Sequence, residues 1–333
     1  MRIESKMVKQ FVAMSLATAF FAGCGGDEKA AAPTPAAKAA VWPQQSVTLL
    51  TTAKTGTIDD LFLRAAAEVV AGELGVAVEV KEDTKAAATI SGGPADGLQW
   101  AGVSDDILPA IDPADWSFFV IADAPAVVSV PANSRIAKLQ NLVRESKREE
   151  TEVTVAASGE GSVWHSKLIG FGSAAKTEFQ FRNFLGEGPS KLAAVGGQVS
   201  AVLTSVGDQA ADIQSGKLKP LGMVDGEAFE LRGFGEIATA SDFYPDVSDD
   251  PVSRFVAIAV PVKVPTDAKQ RIADAISKAV ADPKLKSLAN ERIWRLKGVS
   301  GPAIDRQLVA AATRRAADRA AIAEAKKKKP EDQ

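Results

Sequence analysis

The sequence has 333 residues, of which 46% are hydrophobic and 24% are charged, and its formal net charge is −3. This composition is typical of a soluble globular protein long enough for two domains, and it argues against a fibre or a largely disordered chain. The weak negative charge provides no broad basic field, and the sequence contains no DNA- or RNA-reading motif, so no nucleic acid partner is expected.

Residues 1–24 are predicted to be a lipoprotein signal peptide. The positively charged start MRIESKMVKQ precedes the apolar run FVAMSLATAFFAG, which is too short to span a bilayer comfortably. The segment FAGC resembles a bacterial lipobox, although Phe21 stands where an aliphatic residue is usual. Cys24 is the sole cysteine and the expected lipidation site, and its acyl chains would anchor the protein to a membrane in the periplasm. The alternative is an ordinary signal peptide with an incidental cysteine.

The next segment, residues 25–44, is rich in alanine, proline and lysine, which predicts a flexible tether. From residue 46 onward, strand and helix patterns alternate. SVTLLTTA is predicted to be a strand, IDDLFLRAAAEVVAGELG an amphipathic helix and VAVEVKE a second strand. This βαβ start indicates an α/β protein, and further strands are predicted in ADGLQWAGV and WSFFVIADAPAVVSVP.

A strand that ends in a glycine-rich turn and opens onto a helix occurs twice more, in TEVTVAASGEGSVWHSKLIGFG and FQFRNFLGEGPSKLAAVGG. In FQFRNFLGEGPSKLAAVGG, Pro189 is predicted at the first helical position. The remaining predicted elements are a helix in IAKLQNLVRESKREE, a strand in VSAVLTSV, a helix in AADIQSGKLK, a strand in PLGMV, a loop in SDFYPDVSDDPVS, a strand in RFVAIAVPVKVP, and helices in DAKQRIADAISKAV, KLKSLANERIW and DRQLVAAATRRAADRAAIAEA. Residues 327–333 are expected to be a frayed basic tail.

Catalytic chemistry has little support in the sequence. His165 is the single histidine, and the sequence has neither a GxSxG elbow nor an HExxH motif. One histidine and the lone Cys24 cannot form a metal site with spaced ligands. The first turn lacks GxGxxG, and GEGPSK lacks the GK[ST] ending of a P-loop. We therefore expect a protein that is not an enzyme and uses no metal and no cofactor.

The recurring turns indicate a different chemistry. A helix N-terminus presents unpaired amides at the positive end of the helix dipole, and this arrangement favours an anion such as a carboxylate. The alternative is that Thr57 and Ser162 are simply N-caps. Asp59 and Asp60 are open to two interpretations: they stabilise the first helical turn, with Thr57 and Asp60 as a capping pair, or one of them accepts a hydrogen bond from a ligand.

Residues 43–320 resemble the solute-binding proteins of tripartite tricarboxylate transporters, the TctC or Bug family. LLTTAKTGTIDDLFLRAAAEVVAGELG is similar to the family's PFxxGGxxD turn and helix, with Gly56, Asp60 and Arg64 in register. IAKLQNLVRESKREETEVTVAASGEGSVWHSKLIGFG is similar to its helix, strand and SSGxGS turn, and the run from FQFRNFLGEG to PLGMV follows in the family's order. Leu185 replaces the lysine of the PYKG motif, and Ser200 replaces an aspartate.

The resemblance implies a type II periplasmic-binding-protein fold, with two α/β domains, a cleft between them and crossing hinge strands near VVSVP and SRFVAIAV. Domain 1 would comprise residues 45–129 plus 254–326, and domain 2 residues 130–253. The ligand would be a small carboxylate, held by Thr55, Gly56, Thr57, Asp60, Ser158, Gly159, Gly161 and Ser162, with Gly186 and Thr204 nearby. His165 would either face this cleft or be a satisfied helix residue.

The resemblance also implies the partners of the protein. It would be a monomer that closes on its ligand and delivers it to the membrane permease subunits of a tripartite transporter. The alternative is a sensor of the same fold that signals its ligand state to a membrane receptor.

Overall fold

The structure is a computed structural model that describes residues 42–108, 111–148 and 150–328. The predicted signal peptide, Cys24, most of the tether and the end of the basic tail lie outside the described residues. Within these ranges, no helix is long and apolar enough to cross a membrane.

The described residues form two β-sheets with flanking helices. The strands are β1 Val47–Thr51, β2 Val78–Glu82, β3 Gln99–Ser104, β4 Trp116–Ala124, β5 Ala126–Pro131, β6 Thr154–Ser158, β7 Gln180–Phe184, β8 Ala201–Ser205, β9 Leu218–Met223, β10 Phe229–Leu231, β11 Gly235–Ile237, β12 Arg254–Pro261 and β13 Arg295–Ser300. The helices are α1 Ile58–Leu74, α2 Ala86–Ser91, α3 Leu139–Ser146, α4 Val163–Ala174, α5 Glu187–Val195, α6 Val206–Gln214, α7 Thr266–Ala281, α8 Pro283–Arg292 and α9 Pro302–Lys328.

The first sheet has the strand order β13-β4-β12-β3-β1-β2, with β1 parallel to both β2 and β3, and β12 antiparallel to β3 and β4. Its side chains alternate between two cores, because successive residues of a strand face opposite sides. Leu49, Trp100 and Phe119 pack on the α1 and α7 side, whereas Phe118 and Phe255 pack on the side of α9. We call this sheet, with α1, α2, α7 and α8, the first lobe.

The second sheet has the order β7-β6-β8-β5-β9, with β6 parallel to β7 and β8 and with β5 antiparallel to β8 and β9. Helices α3 and α4 pack on one core, and α5 and α6 on another. We call this sheet, with α3 to α6, the second lobe. In both lobes, the carboxyl ends of the parallel strands lead directly into helices, which is where ligands bind in open α/β sheets.

The chain crosses between the lobes twice. It leaves β4 at Ala124 and enters β5 at Ala126, so the first crossing is Pro125, just before the predicted VVSVP. It returns between β9 and β12, and β12 begins at Arg254 as predicted. The predicted division into domains stays a prediction.

Several local predictions were wrong. Helix α5 begins at Glu187 with Gly186 as its N-cap, so Pro189 is the third helical residue and not the first. The helix predicted in AADIQSGKLK begins earlier, at Val206, because the Ser205 side chain accepts a hydrogen bond from Asp208 N–H at 3.1 Å and caps it. Helix α3 is shorter than predicted. The hairpin β10–β11 and strand β13 were not predicted.

Helix α9 contacts both lobes. Its first half packs on the first lobe through Leu308, Ala311 and Ala312, and Asp305 accepts a hydrogen bond from Phe118 N–H at 2.8 Å. Its second half packs against α4, and the Arg319 Nε donates to the Gly161 carbonyl at 3.0 Å. The helix therefore passes from one lobe to the other.

Candidate functional site

The first predicted turn joins β1 to α1 and is closed by its own side chains. The Asp60 carboxylate accepts hydrogen bonds from Gly56 N–H at 2.9 Å and from Arg64 Nε at 2.7 Å. The Thr57 hydroxyl donates to the Lys54 carbonyl at 2.7 Å and makes no cap hydrogen bond. The predicted Thr57–Asp60 capping pair is therefore wrong, and the Gly56 amide is not free, because Asp60 reaches back over the turn to bind it.

A cavity of about 380 Å³ opens beside this turn, at the carboxyl ends of β1 and β3. Of the predicted residues in this turn, Thr57 lines the cavity, whereas Thr55, Gly56 and Asp60 do not. The other polar lining groups include Thr52, Lys54, Ser104 and Arg254. We call it the first-turn cavity. Its volume suits a small organic molecule.

Arg254 is the main cation of this cavity, and sequence reasoning missed it. Its Nη2 lies 2.7 Å from Asp59 Oδ1, and its Nη1 lies 2.7 Å from Asp105 Oδ1. The guanidinium also lies 5.3 Å from the centre of the Trp294 ring, a cation–π arrangement. The sequence contained one indication of this role. Arg254 is a single arginine at the start of the otherwise apolar strand SRFVAIAV, and no acidic residue within that strand could neutralise its charge.

The carboxylates around Arg254 are shielded from water. Burial raises the pKa of Asp59, although the nearby Arg254 opposes this shift. Burial also raises the pKa of Asp105 to about 7, because the loss of hydration outweighs the attraction of Arg254 and Arg315. Arg315, at 1% exposure, donates its Nη1 to the Asp105 carbonyl and so joins α9 to this cluster.

The raised pKa of Asp105 predicts a pH dependence of stability. The folded chain holds a proton on Asp105 that the unfolded chain releases near its ordinary pKa of 3.8. The free energy of unfolding should therefore fall as pH rises from about 4 to 7, by up to about 1.4 kcal/mol per pH unit from this group. Urea unfolding at several pH values should show a flatter pH dependence for Asp105→Asn than for the native chain.

The difference in slope between the native protein and Asp105→Asn gives the contribution of Asp105 alone, because the two proteins share all other titrating groups. Burial lowers the pKa of His165, which changes stability in the opposite direction, but His165 is common to both chains. Equal slopes in the two proteins would contradict the prediction.

In the second predicted turn, between β6 and α4, the amides of both glycines are hydrogen-bonded. Gly159 N–H donates to the Phe184 carbonyl at 2.9 Å, and Gly161 N–H donates to His165 Nδ1 at 3.2 Å. The Ser162 hydroxyl donates to the Ser158 carbonyl and accepts from His165 N–H at 3.2 Å, so the N-cap interpretation of Ser162 is confirmed. The prediction of free amides at Gly159 and Gly161 is wrong for this conformation.

The two other predicted residues have structural roles. Thr204 is fully buried, and its hydroxyl accepts from Gln209 Nε2 at 3.0 Å, so it faces the core and not a ligand. Gly186 caps α5 with a φ of 110°, a conformation that favours glycine, and its N–H donates to the Phe184 carbonyl at 3.1 Å. The polar group at the end of β8 is instead Ser205, which bonds Glu187.

The structure does not place the two predicted turns around one cavity. Residues of the second turn do not line the first-turn cavity. His165 lines a different cavity, between α4 and α9, and so does not face the first-turn cavity. Among the described residues, no three histidine, cysteine, aspartate or glutamate side chains are placed to hold a metal ion.

Two α/β lobes joined by two crossovers, with helices following the carboxyl ends of parallel strands, define a type II periplasmic binding protein. The family model "Tripartite tricarboxylate transporter family receptor", TctC, matches residues 116–315, and the chain belongs to this family of solute-binding receptors. The resemblance found in the sequence is therefore confirmed.

Known relatives agree with this placement. A UPF0065 protein of Bordetella bronchiseptica is 26% identical over 271 residues, which is 76% of this chain and 78% of the relative. The crystal structure of a TctC solute binding protein from Polaromonas superposes with a TM-score of 0.73 at 20% identity, covering 85% of this chain and all of the other. MatC from Rhodopseudomonas palustris with bound malate gives a TM-score of 0.54 at 18% identity, covering 84% and 98%.

Proposed function

We propose that this receptor binds a small organic carboxylate in the first-turn cavity and closes its lobes on it. The observation that supports the proposal most is the cavity of about 380 Å³ with Lys54 and Arg254 on its wall, beside the N-terminus of α1. The first amides of a helix lack intrahelical acceptors and carry partial positive charge, which favours a carboxylate there. The malate bound to MatC supports the same ligand class.

The charges of the cavity narrow the ligand class. Lys54 and Arg254 are balanced by Asp59 and Asp106, and Arg254 is already paired with two carboxylates. The net field is therefore weak, and a ligand with several negative charges would be repelled by Asp59 and Asp106 without enough free cations to balance it. We infer a ligand with one or two carboxylates and neutral polar groups, in preference to a tricarboxylate.

Closure would bring the second lobe to the ligand. We propose that Ser158, Gly159, Gly161, Ser162 and Gly186 approach it when the lobes move, since they lie at or just after the carboxyl ends of β6 and β7. A ligand can drive such movement only if it binds the closed state more tightly than the open state.

The proposed setting follows from the same family. We place the protein in the periplasm as a monomer, anchored to a membrane through lipidated Cys24, where it would deliver its ligand to the permease subunits of a tripartite transporter. Capture and release require no catalysis, which agrees with a receptor family.

A thermal-shift screen of the purified protein tests the site. Dicarboxylates, tricarboxylates, aromatic acids and amino acids are compared, and a carboxylate that binds should raise the melting temperature, because binding to the native state adds to its stability. Ala53→Phe, which fills the first-turn cavity, should abolish this rise. Ala88→Phe, at an exposed position on α2, is the matched control and should retain it.

Two results would overturn the proposal. One is that no carboxylate raises the melting temperature. The other is that the Ala53→Phe protein, folded and melting cooperatively, still responds to the ligand as the control does, which would place the ligand elsewhere.

A further inference from the structure

A second cavity lies outside the first-turn cavity, between α4, β7 and the second half of α9. Its volume is about 610 Å³, well within the range of small-molecule sites. Much of its wall is apolar and comes from Leu168, Ile169, Phe179, Phe181 and Ile322. We call it the α4–α9 cavity, and it can hold an aliphatic or aromatic body.

One wall of the α4–α9 cavity carries an unpaired carboxylate oxygen. Asp318 lines the cavity at 7% exposure, and its Oδ1 accepts from Arg314 Nε at 3.0 Å. Its Oδ2 is shielded from solvent and has no hydrogen-bond partner among the described residues. A buried carboxylate oxygen without a donor is unfavourable, so a ligand that supplies a donor gains affinity here.

His165 also lines the α4–α9 cavity, and its ring carries no positive charge. Its ring stacks on Phe181 with the ring centres 3.7 Å apart, and its Nδ1 accepts from Gly161 N–H. Burial lowers the pKa of His165, so the ring is neutral at pH 7 and carries its proton on Nε2.

The charged residues of the cavity select against anions. Glu160, Glu178 and Asp318 contribute three negative charges, and Arg314, which pairs with Asp318, and Lys326 contribute two positive charges, a net of −1. Lys326 is already paired with Glu160. A carboxylate would therefore be repelled, whereas a cation would be attracted, most strongly at the unpaired Asp318 oxygen.

We propose that the α4–α9 cavity is a second ligand site, which binds a small amphipathic amine. The ammonium group donates to the Asp318 carboxylate, and the apolar body lies along Leu168, Ile169 and Ile322. This site differs from the carboxylate site in both position and charge. An amine held here also connects α9 to α4, because both helices form its walls.

Calorimetric titration of the purified protein with hexylamine tests the proposal. Hexanoate and hexan-1-ol have the same chain length and serve as charge-reversed and neutral controls. We expect saturable binding of hexylamine, at least about tenfold tighter than either control, because only the ammonium forms a charge-assisted hydrogen bond. Equal or weaker binding of hexylamine would overturn the proposal.

Two variants locate the bound amine. Asp318→Asn keeps the side-chain shape but removes the charge, and Ile169→Trp fills the cavity from a half-buried position; each should weaken hexylamine binding at least about tenfold. Glu324→Gln removes a carboxylate from an exposed position on the same helix and should leave binding unchanged. Unchanged binding in either Asp318→Asn or Ile169→Trp would overturn the site. Since none of these residues lines the first-turn cavity, failure here leaves the carboxylate proposal intact, and the reverse also holds.

Discussion

Replacement of Lys167 by methionine is expected to lower the free energy of unfolding by about 3–5 kcal/mol. Lys167 is 3% exposed on α4, and its Nζ donates to the Val252 carbonyl at 2.6 Å and lies 3.5 Å from Asp250 Oδ2. The Asp250 side chain is 6% exposed, so without the lysine it remains a buried carboxylate with no cation. Urea unfolding of the variant measures the loss.

Two further proteins show whether the loss comes from the unpaired charge. Lys147→Met, at an exposed position, should change stability by less than about 0.5 kcal/mol. The double variant Lys167→Met with Asp250→Asn should recover much of the loss, because it removes both charges of the pair. A double variant as unstable as Lys167→Met alone would show that packing of the lysine stem, and not the ion pair, is responsible.

The elements that could be predicted are those whose pattern is local. Helix α1 and strand β4 follow from apolar periodicity, and the turns at Gly56 and Gly161 follow from glycines that have φ values of 85° and 70°. Strand β13 could not be predicted, because RLKGVS is a polar strand at the edge of the first sheet. Its position depends on pairing with β4, which lies about 170 residues earlier in the sequence.

The candidate site was predicted less completely than the fold. Sequence reasoning selected the strand end beside which the first-turn cavity opens, but it missed Arg254, which lies 195 residues from Asp59. It predicted α9 as a helix, but not its course over Gly161, because the contact between Arg319 and Gly161 joins residues 158 positions apart. The amides of Gly56 and Gly161 are bound by side chains four residues later, Asp60 and His165, and the pattern of glycines and hydroxyls alone does not show these hydrogen bonds.

The contact between the lobes also depends on a residue whose role is invisible in the sequence. Gly207 is the second residue of α6, and the preceding Val206 N–H donates to the Pro125 carbonyl at the crossing between lobes, at 2.8 Å. A Cβ added at Gly207 would lie 2.6 Å from the Arg292 carbonyl oxygen at the end of α8. Trp294, two residues later, packs on the cores of both lobes, so this segment lies at the contact between them.

Gly207→Ala is therefore expected to weaken carboxylate binding by roughly 5- to 150-fold, the equivalent of about 1–3 kcal/mol of overpacking. The chain can relieve the clash by separating α6 from α8 without unfolding either lobe, so the cost falls on lobe closure and thus on affinity.

Gly72→Ala is the matched control, since this helical glycine has open space around it and alanine should stabilise the protein by about 0.5–1 kcal/mol. Calorimetric titration with the carboxylate found by screening measures the affinity, and X-ray scattering should show a larger radius of gyration for Gly207→Ala. Unchanged affinity together with a lower melting temperature would show instead that the two lobes form one rigid body.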